Sequence, residues 1–250
     1  GGAYWHPQYD PLDPFSFEDA HSNPPVSVMD LVEQGQAVPV LVSQAAIYPA
    51  GRMMPIVMKG IIPSQDIINL PTENLSGHDE SLIPVLIGRG MAKYSKLNIG
   101  DTFTIRWLDA NSTYDADEGI VVHIMDTENF KVDIGQIWVP LDQAQSMLAM
   151  EGEATYVTYA KGLTGITNCE DWIPRNVKYL IRDIEALIEA DEPQARRIYA
   201  ILLALASMGI FNAQVLSIFR RRKEIGTLMA LGMTRSRVVR LFTLEGGLNA

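Results

Sequence analysis

The sequence predicts an α+β protein in which a mixed globular part precedes one transmembrane helix and a short amphipathic helix. Three observations carry this prediction. In residues 1–197, short apolar runs bounded by Gly, Pro and Asp, which are typical of strands, are interspersed with helical patterns. Residues 198–219 contain no charged side chain. Four consecutive cations at 220–223 then precede apolar residues that recur at helical spacing.

The globular part is predicted to begin with an ordered, irregular or extended segment over residues 1–25, because prolines interrupt it. The patterns that follow predict helices at VSVMDLVEQ, LDQAQSMLAM and YLIRDIEALIEA. They predict strands at AVPVLVSQAAIY, MPIVMKGII, GIVVHIMDT, IGQIWVPL and ATYVTYAKG. The stretch LIPVLIGRGMAKYSKLNIGDTFTIRW predicts a strand, a turn, a short helix, a Gly-Asp turn and a second strand.

Several motifs in the globular part resemble ligand sites but fail on spacing. Gly88 and Gly90 mimic a dinucleotide-binding loop that lacks its third glycine. Residues 108–119 lack the mid-loop glycine of a calcium loop, so a hairpin connection is expected there, and His123 is expected to be a strand residue. The acids and histidines of the first segment match no metal-ligand pattern and are expected in a solvated turn region: His6, Asp10, Asp13, Asp19 and His21. The sequence therefore predicts no metal and no cofactor.

Charge distribution and missing motifs exclude other function classes. The net charge is −10, yet residues 220–240 hold seven Lys/Arg and one acid. Basic residues confined to one patch behind an acidic body argue against nucleic-acid binding. The single cysteine, Cys169, excludes an intrachain disulfide and a Cys-based zinc cluster. Walker A, G-x-S-x-G, H-E-x-x-H and C-x-x-C motifs are absent, so the chain is not predicted to be an enzyme.

The uncharged run over residues 198–219 is long enough to cross a bilayer. As a helix its 22 residues would span about 33 Å, close to the ~30 Å thickness of the hydrocarbon core. A buried core helix is the alternative, although such helices are usually shorter and carry a polar stripe. Cations are more numerous after the run than before it, which predicts a cytoplasmic C-terminal end and an acidic body outside the cytoplasm. Asn212 and Gln214 are expected to contact neighbouring helices rather than a transport pathway.

The segment after the cations is predicted to form a short helix of its own. Its apolar stripe consists of Ile225, Leu228, Met229 and, from the next face, Leu231. Gly232 is placed to end this helix, and Thr234 is placed to cap the next one. Periodicity leaves two interpretations open, namely a helix resting on anionic headgroups and a helix that offers its apolar ridge to a cytoplasmic partner.

The same segment resembles the signature of the MacB/LolCE/FtsX superfamily of ABC-transporter permeases, and among these the lipoprotein-releasing permeases most. The shared motifs are R-K-E-I-G at 222–226, A-L-G-M-T at 230–234 and L-E-G at 244–246. Upstream, VLIGRGMAKYSKLNIGDTFTI and QIWVPLDQAQSML resemble stretches of the extracytoplasmic domain of that superfamily, although the residues at 94–96 are more polar than usual there.

The resemblance implies a periplasmic domain over residues 1–197, with a porter-like part at 1–84 and 151–197 and a small β-rich insertion at 85–150. It further implies a transmembrane helix at 198–219, a cytoplasmic coupling segment at 220–238 and the start of another transmembrane helix at 239–250. The implied membrane-boundary residues are Arg220, Arg221, Arg222 and Lys223. The residues implied to contact an ATPase through a coupling helix are Glu224, Ile225, Gly226, Leu228, Met229, Leu231 and Gly232.

The implied function is that of a permease subunit that couples ATP hydrolysis by a partner to conformational change in the periplasm, with release or export of a lipoprotein or lipid. The implied partners are a cytoplasmic ATP-binding subunit, a second permease copy or paralogue, membrane lipid, and a periplasmic lipoprotein, lipid or carrier. An FtsX-like regulator of a periplasmic hydrolase is the alternative, and an anchored enzyme with an unrecognised carboxylate site is a third hypothesis. The implied location is the bacterial inner membrane, and the chain is expected to be a fragment of a longer protein.

Overall fold

The computed structural model describes residues 1–78, 81–127, 133–163 and 171–248, and for residues 183–195 and 245–248 it describes the backbone alone. Cys169 and the last two residues of the predicted second membrane segment lie outside the described residues. The chain divides into two compact units, Gly1–Ile181 and Arg182–Ala250. The first unit mixes helices with strands and the second is helical, which confirms the predicted α+β class.

The described strands all belong to the first unit: β1 (Gly2–Trp5), β2 (Ala37–Tyr48), β3 (Met54–Ile61), β4 (Ile83–Gly88), β5 (Thr102–Leu108), β6 (Tyr114–Met125), β7 (Gln136–Pro140), β8 (Tyr156–Tyr159) and β9 (Ile173–Asn176). The helices are α1 (Val26–Glu33), α2 (Arg89–Ser95), α3 (Leu141–Leu148), α4 (Val177–Arg220), α5 (Arg222–Ala230) and α6 (Arg235–Leu248). Short 3-10 turns lie at Pro14–Glu18, Pro49–Gly51 and Thr72–Leu75. These bounds confirm the predicted helices and strands. They add β1, within the segment predicted only to be irregular or extended, and β9, which was not predicted.

Six strands close into a small barrel. The sheet order is β3-β7-β4-β6-β5-β2-β8-β1-β9, and β3 also pairs with β2, which completes a ring of β2, β3, β7, β4, β6 and β5. Closure depends on the length of β2: residues 40–47 pair with β3, whereas on its other edge residues 45–48 pair with β5. Residues 37–40 pair with β8, from which β1 and β9 continue the sheet.

Alternate residues of the ring strands fill the barrel with apolar side chains. In β4 these are Ile83, Val85 and Ile87, each nearly or fully buried, as expected when successive side chains point to opposite faces of a sheet. The interior is narrow at Gly119 of β6, where an added Cβ would lie 2.7 Å from Ile105 Cδ1. A glycine is therefore the residue that fits between these strands.

Helix α3 packs against the barrel at close range. A Cβ added to Gly60 of β3 would lie 2.6 Å from the Cβ of Ala144 in α3, and the Trp107 indole N–H donates a 2.6 Å hydrogen bond to the Met147 carbonyl.

Strands β2 and β3 were predicted for the porter-like part, and β4 to β7 largely for the β-rich insertion. Both sets share one barrel, while the boundaries of those parts stay a prediction.

The outer face of the barrel is covered by the first segment of the chain. Phe17 is 6% exposed and belongs to a cluster on this face that includes Trp138. The Tyr9 ring lies 5.8 Å from the Phe17 ring and stacks on Tyr156 at 5.6 Å, measured between centroids. Burial of these aromatic rings fixes the path of the chain between Tyr9 and Phe17.

Candidate functional site

The candidate functional site lies in the second unit and begins with an apolar helix. Within α4, Arg196–Arg220 is one stretch of 25 residues that by length and composition could cross a membrane, and none of its most apolar window is buried. Large apolar side chains are exposed along it, among them Leu203, Met208 and Phe211. A core helix of a soluble protein would bury such side chains, so their exposure favours the membrane-spanning interpretation.

A break in the helix follows at the cations. Helix α4 ends at Arg220, and Arg221, with φ −96° and ψ 13°, precedes the start of α5 at Arg222. The Arg222 guanidinium lies 5.6 Å from the centroid of the Phe219 ring. The Arg221 side chain approaches Glu224 at 4.0 Å. Charged groups that contact each other and an aromatic ring at the end of an apolar helix are typical of the boundary between hydrocarbon and water.

Helix α5 ends in a Schellman motif. Gly232 has φ +92°, a left-handed conformation that costs glycine little. The Gly232 N–H donates to the Met229 carbonyl and the Met233 N–H donates to the Leu228 carbonyl, both at 3.1 Å, which satisfies carbonyls at the helix end. Thr234 then directly precedes α6. The predicted helix end at Gly232 is confirmed.

The seven residues implied to contact an ATPase occupy different environments. Ile225 and Met229 line a groove together with α4 and α6, and Leu228 is half-buried. Glu224 and Gly226 are exposed, and Leu231 is 80% exposed. The apolar stripe predicted from periodicity is therefore divided, because part of it faces the neighbouring helices and Leu231 faces away from the groove.

The groove has a volume of about 720 Å³ and is predominantly apolar. Gln214 of α4 lines it, in agreement with the predicted contact to neighbouring helices, whereas Asn212 is exposed. Sequence reasoning missed the contribution of α6, where Val238 is buried and Phe242 lines the groove. The four-residue spacing of these two side chains is the signal that could have identified this face.

Polar groups of the first unit that resembled ligand sites have structural partners. Asp10 and Asp13 each accept a backbone N–H from two residues ahead, and His21 contacts Glu153. Among the described residues, no group of three or more His, Cys, Asp or Glu side chains is placed to hold a metal ion.

The glycine pair and the acidic loop also have structural explanations. Gly90 N–H donates to Asp133 Oδ1 at 2.8 Å, and a Cβ added to Gly88 would lie 2.6 Å from Asp133 Cα. Both glycines therefore make room for the segment that contains Asp133. Asp109 Oδ1 accepts the backbone N–H groups of residues 111 and 113 in the turn between β5 and β6, so the predicted hairpin connection is confirmed.

Burial shifts several pKa values on the outer face of the sheet. It lowers the pKa of Lys59 to about 8, and the Lys59 ammonium lies 5.0 Å from the centroid of the Trp138 ring. Burial, with a smaller contribution from Asp10, raises the pKa of Tyr9 to about 12. The pKa of Tyr156 is also raised, again mainly by burial. In each case desolvation disfavours the charged form of the side chain.

The start of α4 is fixed to the sheet by a cap and by stacked rings. Asn176 Oδ1 accepts a 2.8 Å hydrogen bond from Tyr179 N–H. The Arg175 guanidinium lies 4.0 Å from the Tyr179 ring centroid, and the Trp5 ring meets the Tyr179 ring edge-on at 6.1 Å. Trp5 and Arg175 lie on β1 and β9, which pair with each other. Two strands therefore hold the first turn of α4.

Comparisons with solved structures give two similar domains. The extracellular domain of the noncanonic ABC-type transporter YknZ from Gram-positive bacteria is 12% identical, with a TM-score of 0.40 over 65% of this chain and 83% of that one. The periplasmic region of MacB from Actinobacillus actinomycetemcomitans is 11% identical, with a TM-score of 0.47 over 73% of this chain and 91% of that one.

Comparisons of sequence give one family model and distant relatives. Residues 198–248 match the model of the FtsX-like permease C-terminal family. LolC, the lipoprotein-releasing system transmembrane protein, is 22% identical over 233 residues in Neisseria meningitidis serogroup B and 21% identical over 238 residues in Xylella fastidiosa strain 9a5c. These alignments cover 84% and 85% of this chain, which spans 56% of the length of each relative. The family match falls on the three helices described above, and together with the LolC relatives it supports the predicted resemblance to the MacB/LolCE/FtsX superfamily of ABC-transporter permeases.

Proposed function

We propose that this chain forms part of a permease subunit that couples ATP hydrolysis by a cytoplasmic partner to conformational change in the bacterial periplasm, and that the work done is release of lipoproteins or lipids. The observation that carries the proposal is the capped helix α5, which directly follows an apolar helix and begins within the run of cations at 220–223. The similarity to LolC supports lipoprotein release as the activity.

The charges set the proposed orientation. Four adjacent cations resist transfer through a bilayer, at about 2.5–3.5 kcal/mol for each Lys or Arg at its centre, so α5 lies in the cytoplasm. Residues 1–197 then lie in the periplasm, and the inner membrane is the location. Arg220, Arg221, Arg222 and Lys223 mark the cytoplasmic boundary of the membrane helix.

The exposed side of α5 is the proposed docking face for the ATP-binding subunit. Glu224 and Leu231 are seven residues apart, close to two helical turns, so they lie on one face. Leu231 presents an apolar side chain to solvent next to a fixed helix end, which suits insertion into a groove of a partner. Ile225 and Met229 line the groove between α5, α4 and α6 and position the helix.

Cross-linking tests the docking face. In the full-length permease with Cys169→Ser, Leu231→Cys is compared with Ile225→Cys as a matched control in the same helix. We expect a thiol cross-linker to join position 231 to the ATP-binding subunit, with a much lower yield from position 225 because Ile225 is half-buried and lines the groove. Equal yields, or no cross-link from position 231, would refute the docking face.

Depletion tests the activity. Cells depleted of the full-length permease should retain lipoproteins or lipids in the inner membrane that are otherwise released from it. Normal lipoprotein release with loss of cell-wall hydrolysis would instead favour the alternative, a regulator of a periplasmic hydrolase.

A second permease copy or paralogue is the proposed dimer partner. Measurement of the mass of the purified complex tests whether two permease chains are present.

A further inference from the structure

The loop over residues 10–16 exposes two large apolar side chains. Leu12 is 70% exposed and Phe15 is 82% exposed, the highest value among the large apolar side chains described in the first unit. Single exposed apolar residues are common on protein surfaces. Leu12 and Phe15, however, lie only three residues apart on one loop and together form an exposed apolar patch. Neither side chain is buried within this unit, so packing of the unit does not explain the patch.

This loop has a fixed backbone. The Ser16 hydroxyl donates a 2.7 Å hydrogen bond to the Asp13 carbonyl, and Gln44 Nε2 donates a 2.6 Å hydrogen bond to the Pro14 carbonyl. The loop is also anchored at both ends by the aromatic contacts of Tyr9 and Phe17. The two apolar side chains are therefore held outward before any partner arrives, which reduces the entropy lost on binding.

The charge around the loop is of one sign. Residues 1–51 contain six acids and neither Lys nor Arg. Four of these acids flank the apolar pair, at Asp10, Asp13, Glu18 and Asp19. An acidic surface is repelled by anionic lipid headgroups, whereas it complements a protein surface that carries cations.

We propose that residues 10–16 form a docking surface for a second protein with an apolar pocket rimmed by Lys or Arg. Phe15 enters the pocket as the central anchor, Leu12 lies beside it, and the acids pair with the cationic rim. Large apolar anchors in fully desolvated pockets carry most of the binding energy at interfaces of this kind. The inference rests on the proposed function in one respect, since a periplasmic location of residues 1–197 makes the partner an extracytoplasmic protein.

Photo-cross-linking in cells tests this surface in the full-length protein. Benzoylphenylalanine replaces Phe15 in one strain and, as a control, Ile99 in another, because Ile99 is 61% exposed elsewhere in the unit. We expect one protein adduct from position 15 that is missing from position 99. Mass spectrometry of the adduct should place the cross-link in an apolar pocket of the partner with Lys or Arg at its rim.

A variant with fewer acids tests whether the loop pairs with a cationic rim on the partner. Asp10→Asn together with Asp13→Asn retains side-chain oxygens for the hydrogen bonds to the loop while it removes two charges. We expect the adduct yield to fall about tenfold, the lower end of the effect of electrostatic steering on association. An unchanged thermal unfolding midpoint of the purified variant shows that the fold is retained.

Several outcomes would overturn the inference. These are an adduct with lipid, an adduct with a second copy of this chain, a cross-link to an acidic or flat surface, equal adducts from both positions, and a yield unaffected by the charge variant. The loop changes leave α5 intact. If these experiments overturn the docking surface at residues 10–16 but Leu231→Cys still cross-links to the ATP-binding subunit, the proposed function is unaffected. If Leu231→Cys fails to cross-link, that result counts against the proposed function itself.

Discussion

Replacement of Gly226 by alanine separates a docking role of α5 from a structural one. Gly226 lies inside α5, and a Cβ added there meets no atom within 4 Å. Alanine is favoured over glycine in a helix interior by about 0.5–1 kcal/mol, so α5 by itself becomes more stable. Gly226 lies about 160° around the helix from Glu224, so it meets a docked ATP-binding subunit only where a groove of that subunit encloses both edges of the exposed side. There the added methyl group overpacks the contact at a cost of about 1–3 kcal/mol. That cost corresponds to roughly five- to 150-fold weaker binding.

The assay combines two measurements on the full-length permease in lipid nanodiscs, namely affinity for the ATP-binding subunit and the thermal unfolding midpoint. Gly226→Ala is expected to weaken binding while it retains or raises the midpoint. Gly232→Ala is the matched control. Its Cβ also meets no atom within 4 Å, but φ is +92°, and the left-handed conformation costs a residue with a Cβ about 1–2 kcal/mol. This control is expected to lower the midpoint.

Two results would refute this reasoning. If Gly226→Ala binds the ATP-binding subunit as tightly as the wild type, Gly226 is not part of the docking contact. If Gly226→Ala lowers the unfolding midpoint as much as Gly232→Ala, then the assignment of Gly226 to an open helical position is wrong.

The other predictions concern the first unit. Because the pKa of Lys59 is about 8 when folded and 10.5 in its ordinary state, the unfolded chain binds more protons between these values. Wild-type stability should therefore rise over this range relative to Lys59→Met, and parallel pH profiles of the thermal midpoint would contradict this. Gly60→Ala should lower the free energy of unfolding by about 1–3 kcal/mol in denaturant titration, with partial recovery by Ala144→Gly. Tyr179→Ala should speed amide exchange in the first turn of α4, since aromatic contacts of this kind contribute about 0.5–1.5 kcal/mol, while Tyr179→Phe keeps the ring and should exchange more slowly than Tyr179→Ala.

Local chemistry explains why much of the secondary structure could be predicted. The end of α5 follows from Gly232, because a left-handed residue and two backbone hydrogen bonds are set within one helical turn. Strand β2 could be predicted from the valines at 38, 40 and 42, because β-branched residues favour strands. The turn between β5 and β6 follows from Asp109, whose side chain accepts two backbone N–H groups nearby.

The sequence by itself determined most of the helices and strands, the uncharged helix and the cations at its end, because periodicity, capping and charge are local properties, whereas the short strands β1 and β9 were not predicted. Only the tertiary structure decided that β2 pairs with three strands and closes a barrel, since register between distant strands depends on contacts throughout the fold. It also decided that Phe17 is buried while Phe15 is exposed, and that Met229 lines a groove while Leu231 does not. Phe15 and Phe17 differ in burial because surrounding elements cover one ring and leave the other in solvent.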